Sequence, residues 1–179
     1  LAETEAERNA VYRLRYDVYV EEMGRYQTVA DHKNRTLIED CDAHSRISYA
    51  AIDDEVVATS RLTWGGDAPI PQRMVDQYYL APFLAELPQN AIAVGERAMV
   101  RPHLRGTDLL LRMMINGMPW VAERRIQLIF GDCEPHLLNL YLGLGMRTYS
   151  HKNVNSAEAG YLIPLVTVPE DIDYFRQLN

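Results

Sequence analysis

The stretch Val100-Arg101-Pro102-His103-Leu104-Arg105-Gly106-Thr107-Asp108-Leu109-Leu110 reads as a strand end, a turn built on Pro and Gly, and the opening of a helix. Backbone N–H groups at a helix start lack intrahelical partners and carry the positive end of the helix dipole, so such a turn suits a phosphate or pyrophosphate. Each such interaction contributes only about 0.3–1 kcal/mol when exposed, and Arg101 and Arg105 would reinforce it with charged donors. A plain strand-to-helix turn with a solvated basic face uses the same residues, and spacing does not choose between the two. Just upstream, Glu96 stands in the apolar run Ala91 to Val100, where a carboxylate is uncommon without a partner, and Arg97 follows it at once. Neighbouring strand residues point to opposite faces, so one of these two should face a cleft. An ion pair with an adjacent strand is the other use open to Glu96.

These residues need elements to hold them. Apolar positions Ala6, Ala10, Val11, Leu14, Val18 and Tyr19 recur at helical spacing between Glu3 and Met23, with Gly24 past the end, and predict an amphipathic helix. Arg25 to His44 lacks periodicity and carries the acidic run Glu39, Asp40 and Asp42; at that length it is a functional loop or partly ordered. Arg46–Ile52 and Glu55–Trp64 predict a hairpin turning at Asp53-Asp54. Arg73 to Leu87 reads as helix divided by Pro82, and Ala91 to Arg101 as a strand. A helix follows from near Gly106 with Leu109, Leu110, Met113, Met114 and Met118 inward, and Pro119 should kink or interrupt it. Then come a strand (Ile126–Gly131), a helix (Glu134–Leu144), two strands (Met146–His151 and Gly160–Val166) and a terminal helix from Pro169. That order implies an α/β or α+β layered sheet.

Composition narrows the class. A chain of 179 residues, 47% hydrophobic and 24% charged, fits one soluble domain over 1–179, trimmed from a longer product if Leu1 is not its natural start. A net charge of -7 disfavours general nucleic-acid binding, and no apolar run suggests stable membrane insertion. Cys41 and Cys133 form no C-x-x-C pair and the five histidines lack ligand spacing, so no metal is expected and a reducing, cytoplasmic setting fits.

The turn at Val100 to Leu110 resembles the acyl-CoA pyrophosphate loop of GNAT acyltransferases, V-x-P-x-x-R-G-x-G-x-G/A: Val100, Pro102, Arg105 and Gly106 match, whereas Asp108 and Leu110 replace small residues. A second stretch, Asn139-Leu140-Tyr141-Leu142-Gly143-Leu144-Gly145-Met146, is similar to that family's N-x-Y-x-x-x-G-F segment. The resemblance implies a mixed, mostly antiparallel sheet flanked by helices, with a splayed strand pair holding a pantetheine arm. It also implies that Tyr141 protonates a departing thiolate. From spacing alone, Leu138, Tyr141, Leu142 and Leu144 form an apolar face, so core packing is the competing use of Tyr141.

The amino-terminal half resembles acyl-homoserine-lactone synthases and long-chain N-acyl amino acid synthases. Tyr12 to Gly24 looks like their opening helix, Ile38-Glu39-Asp40-Cys41-Asp42 their acidic loop, Val57 to Leu62 their V-x-G-x-x-R-L strand, and Glu96 to Val100 their E-x-S-R-F-x-V strand. Carried over by position, Arg15, Asp42, Arg61 and Arg97 organise the acceptor and the loop over the active site. The family's glutamate position holds Val94, and Glu96 lies one step along the same strand face. The implied chemistry is attack of a neutral amine on a thioester. An unperturbed lysine amine is neutral at pH 7 in only about one molecule in 2,500, but an α-amine in about one in six, so a modest base such as Glu96 suffices. Expected, then, are an acyl-phosphopantetheine donor (acyl carrier protein or acyl-CoA) contacting Val100, Arg101, Arg105, Gly106, Thr107 and Asp108, an amine acceptor at Arg15, Asp42, Arg61 and Arg97, and no tightly bound cofactor. Arg101, Arg105, Arg112, Arg124 and Arg125 are the docking candidates for an acidic carrier protein. The competing functions are a short-chain acyl-CoA N-acetyltransferase and a catalytically silent acyl-pantetheine-binding module; the same polar residues also read as a structural salt-bridge cluster.

Overall fold

Thr4 accepts from the backbone N–H of Glu7 while Glu7 reaches back to the N–H of Thr4, a reciprocal cap that starts α1 (Glu5–Tyr16). The computed structural model describes residues 1–178. Past Tyr16 the predicted helix does not stay α-helical: Asp17–Glu22 forms a π-type turn, and Gly24 leaves it at φ 60°. The stretch left open as a loop holds a short hairpin, β1 (Ala30–Asp31) with β2 (Thr36–Leu37), and a 3-10 turn over Asp40–His44. β3 (Ser45–Ile52) and β4 (Glu55–Trp64) meet at Asp53 and Asp54, both at positive φ as a two-residue hairpin turn of the I′ kind requires.

α2 (Gln72–Gln77) and α3 (Ala81–Glu86) are two pieces, as expected, although the break falls at Tyr78 to Leu80, with Tyr79 left-handed, and Pro82 lies in the first turn of α3. β5 (Ile92–Val100) leads to the turn and to α4 (Leu109–Glu123). Pro119 lies inside α4 and does not interrupt it. The carbonyl that its ring removes from the ladder belongs to Ile115, four residues back, and both residues are exposed, so water can serve that group. Exposure also falls differently from the predicted inward face: only Val121 is fully buried on α4, and Met113, Met114 and Met118 are half-buried. β6 (Leu128–Cys133), α5 (Leu138–Gly143), β7 (Arg147–Thr148), β8 (Val154–Ser156), β9 (Gly160–Thr167) and α6 (Ile172–Gln177) complete the chain.

Seven strands make one open sheet in the order β3-β4-β5-β6-β9-β7, with β8 on β9. β6 runs antiparallel to β9, β7 and β8 likewise, and β5 runs parallel to β6. The β5–β6 ladder pairs Ile92 with Leu128, Ala93 with Ile129 and Val94 with Phe130, and there it ends, although β5 continues to Val100 and β6 to Cys133. At that end a Cβ on Gly131 would stand 3.0 Å from the Gly95 carbonyl oxygen, a tight contact that glycine avoids.

By its contacts the chain divides into two compact units. One comprises Leu1–Leu62 and Glu96–Asn116; its core holds Val11, Tyr12, Leu14, Val18, Ile47, Val56 and Met99. The other comprises Thr63–Gly95 and the chain from Gly117, with Cys133, Met146 and Leu165 in one cluster and edge-on contacts among Phe83, Phe130 and Tyr149.

Candidate active site

Arg15 on α1, Asp42 in the 3-10 turn, Arg61 on β4 and Glu96 and Arg97 on β5 come together in the first unit. Arg15 Nη1 donates to both oxygens of Asp42 at 2.9 Å. Arg61 Nη1 donates to Asp42 Oδ1 at 3.0 Å and to Glu39 Oε2 at 2.7 Å, and its Nη2 donates to Glu96 Oε2 at 2.6 Å. Arg97 Nε donates to the same Glu39 oxygen at 2.8 Å. Three guanidinium groups thus meet three carboxylates, and the charges balance. Balance matters because Arg15 and Arg61 are fully buried and Asp42 is 1% exposed; an unpaired charge there would cost several kcal/mol. The Tyr12 ring lies 5.4 Å from the Arg15 guanidinium and covers part of what its hydrogen bonds leave.

Burial by itself would raise the Glu39 carboxyl, but the Arg97 hydrogen bond and the Arg97 and Arg61 charges outweigh it and hold the group at about 2. Burial opposes the charged form of Arg61 as well, and the carboxylates of Glu96, Glu39 and Asp42 reverse that, moving it above the usual arginine range. The Cys41 thiol is pushed up chiefly by burial.

Strict alternation predicts that Glu96 and Arg97 face opposite sides of β5, yet both enter this cluster. Arg97 sits at φ 57°, the left-handed region, inside a strand. One such residue breaks the two-residue period, as a bulge does, and lets its own side chain share a face with that of the residue before it. Arg97 is held there by Glu39, by Gln27 Oε1 at 3.1 Å and by the Tyr19 ring 5.1 Å from its guanidinium. Glu39 was visible as part of an acidic run, but its bridging of two arginines was not. Gln27, 4% exposed, and Tyr19 gave no signal, because their role depends on the left-handed turn at Arg97, which has no sequence marker.

The expected phosphate turn has the expected backbone. Pro102–Leu104 forms a 3-10 turn, Gly106 adopts φ 82°, and Thr107 accepts from the Leu109 N–H and donates to the Leu104 carbonyl, so it caps α4. Its arginines, however, are occupied. Arg105 donates through Nη1 and Nη2 to the two oxygens of Glu22 at 2.5 and 2.9 Å, and through Nε to the Val100 carbonyl. Arg101 lies 3.3 Å from Asp17 and 2.7 Å from Glu55, the latter without hydrogen-bond alignment. Asp108 accepts from Arg112. Of the other docking candidates, Arg124 pairs with Glu123 and lies over the Trp120 and Trp64 rings, whereas Arg125 is exposed at φ 53°.

In the second unit, Tyr141 on α5 is half-buried against Cys133, Met146 and Leu165, the apolar setting its spacing suggested. Burial pushes the neighbouring Cys133 thiol up to about 11. The glycine of this segment has two reasons to be glycine: Gly145 is at φ 90°, and a Cβ there would meet the Phe175 ring at 2.1 Å. A polar group that sequence reading missed also lies here: Asp132 on β6 accepts from Gln77 Nε2 at 3.1 Å and from the buried Tyr78 hydroxyl at 3.0 Å.

Residues 14–115 match the family described as acetyltransferase (GNAT) domain. The chain belongs to that family, and by family it is an acyltransferase. Among solved structures it is similar to BjaI, a CoA-dependent acyl-homoserine lactone synthase solved with SAM and isopentyl-CoA, at 18% identity and a TM-score of 0.71, covering 96% of this chain and 79% of that one. It is similar to FeeM, an N-acyl amino acid synthase from uncultured soil microbes, at 14% identity and a TM-score of 0.73, over 98% and 97% of the two chains. ElaA of Escherichia coli follows at 19% identity and 0.62, over 92% and 91%. At these identities the likeness is one of fold: an open, mostly antiparallel sheet flanked by helices. A search of curated sequences gave no match. No helix among the described residues is long and apolar enough to cross a membrane.

Proposed function

We propose that this chain transfers an acyl group, most naturally a fatty acyl group, from a phosphopantetheine thioester carried by an acyl carrier protein or CoA to the amine of an amino acid or related small molecule. The observation that carries this reading is the buried cluster of Arg15, Asp42, Arg61, Glu39, Glu96 and Arg97, assembled from the four stretches that resemble the homoserine-lactone and N-acyl amino acid synthases. A cluster this costly to bury supports a positioning role for the acceptor. The likeness of fold to FeeM and BjaI supports the same class of reaction.

In the proposed reaction the amine nitrogen attacks the thioester carbonyl, the new N–C bond forms, and the C–S bond breaks. Backbone N–H groups of β5 beyond the end of its ladder with β6 polarise the carbonyl oxygen. Glu96, oriented by Arg61, accepts the proton lost from nitrogen, directly or through a water. The thiolate takes up a proton, from Glu96 or from water, and leaves as the free thiol. No redox step is involved.

Mass spectrometry of lipid extracts from an expressing host tests this, because an N-acylated product identifies acceptor and chain length together. A long-chain N-acyl amino acid is the expected result. Tight CoA binding with turnover of acetyl-CoA alone would replace this reading with a short-chain acetyltransferase. No product, with donor bound and unchanged, would leave only a binding module.

A further inference from the structure

The turn proposed to receive the donor's phosphate is already filled by an anion of the protein's own. Arg105 presents its two-pronged fork to the Glu22 carboxylate and uses its remaining nitrogen on the Val100 carbonyl, so each of its three nitrogens is engaged. Glu22 is not carried on a loose tail. It ends the π-type turn Asp17–Glu22, which is tied at its other end by Asp17 to Arg101 and to Arg35 (3.3 Å each), and by Glu21 to Arg35 at 3.5 Å. A carboxylate held that way faces the fork at a high effective concentration whenever no phosphate is present. The pair is also only partly covered, Arg105 being 44% and Glu22 32% exposed, so it is exchangeable, unlike the Arg61 pairs.

We infer that Glu22 is a donor-selectivity residue: its carboxylate competes with the donor's phosphate for the Arg105 fork and sets how strongly phosphate-bearing pantetheine donors bind. This rests on the reading that the turn from Val100 to Leu110 takes the donor phosphate. A phosphate displaces Glu22 by offering more charge to the same bidentate geometry, whereas pantetheine without phosphate gains nothing from Arg105. Salt should weaken the internal pair, because exposed charges are screened over about 8 Å at physiological ionic strength.

Titration calorimetry with CoA and with phosphate-free pantetheine, on the wild-type chain and on Glu22→Gln, Arg105→Gln and the double variant, tests it; thermal melts check that each variant folds. Glu22→Gln should tighten CoA about fivefold relative to pantetheine, the scale of an exposed but bidentate pair. Arg105→Gln should weaken CoA and erase the effect of Glu22→Gln in the double variant. If Arg105→Gln weakens CoA while Glu22→Gln does not tighten it, or tightens pantetheine equally, the selectivity role is overturned and the phosphate turn stands. If Arg105→Gln leaves CoA binding unchanged, the phosphate turn fails and the inference falls with it. Should Glu22→Gln not fold, Glu22→Asp, which shortens the reach to Arg105, must tighten CoA in the same direction.

Discussion

Two groups of arginines in the first unit obey the same chemistry with opposite consequences. Arg15 and Arg61 are fully buried, each tied to carboxylates from distant stretches of chain; Arg101, Arg105 and Arg112 are 24%, 44% and 71% exposed and are paired across the surface. Burial removes water as an alternative partner, so losing one buried member strands the others at full desolvation cost. At the surface, water and salt replace a lost partner almost without penalty. Buried pairs therefore fix geometry, and surface pairs can be exchanged for a ligand.

The sharpest break of that comparison is catalytic. Glu96→Gln should lower kcat by about 10²- to 10⁴-fold, the usual contribution of a positioned base, with a much smaller change in KM; single-turnover kinetics reads it, and an unaltered rate would remove the base assignment. Arg61→Ala comes next. It leaves Asp42, Glu39 and Glu96 without their shared cation and should cost about 3–5 kcal/mol in urea unfolding. A loss below about 1 kcal/mol, the range of exposed pairs, would erase the difference between buried and surface arginines.

Acid reaches the buried group through Glu39. The Glu39 carboxyl is depressed from an ordinary 4.5 to about 2, so its contribution is complete above pH 4.5 and is lost as the pH falls towards 2. Glu7 adds to the same window: its bonds to the Thr4 backbone and then to the Tyr49 hydroxyl hold it at about 2. Urea midpoints measured across that window should fall for the wild type and fall less steeply for Glu39→Gln. Smaller still is the strain at Arg97: Arg97→Gly and Arg97→Ala lose the same bonds, and glycine should be the more stable by about 1 kcal/mol because only alanine pays for φ 57°. Smallest is Arg112→Ala, which removes an exposed pair to Asp108 and should shift stability by about 0.5 kcal/mol or less.

Much was legible in the chain itself. Helical spacing located α1, paired aspartates marked the β3–β4 turn, and a proline–glycine pair before an apolar run located the turn that leads into α4, because each depends on contacts within a few residues. The identity of the cluster residues could be read from local motifs, and Gly145 from its segment. What Glu96 and Arg97 do could not. Alternation separates them, and only the left-handed turn at Arg97, held by Glu39, Gln27 and Tyr19 from far along the chain, brings both into one network. Nor could sequence show that Glu22 faces Arg105, 83 residues away. Local backbone preference is written in adjacent residues; which charge meets which is settled when distant stretches pack, since pairing energy depends on burial and distance that no short window contains.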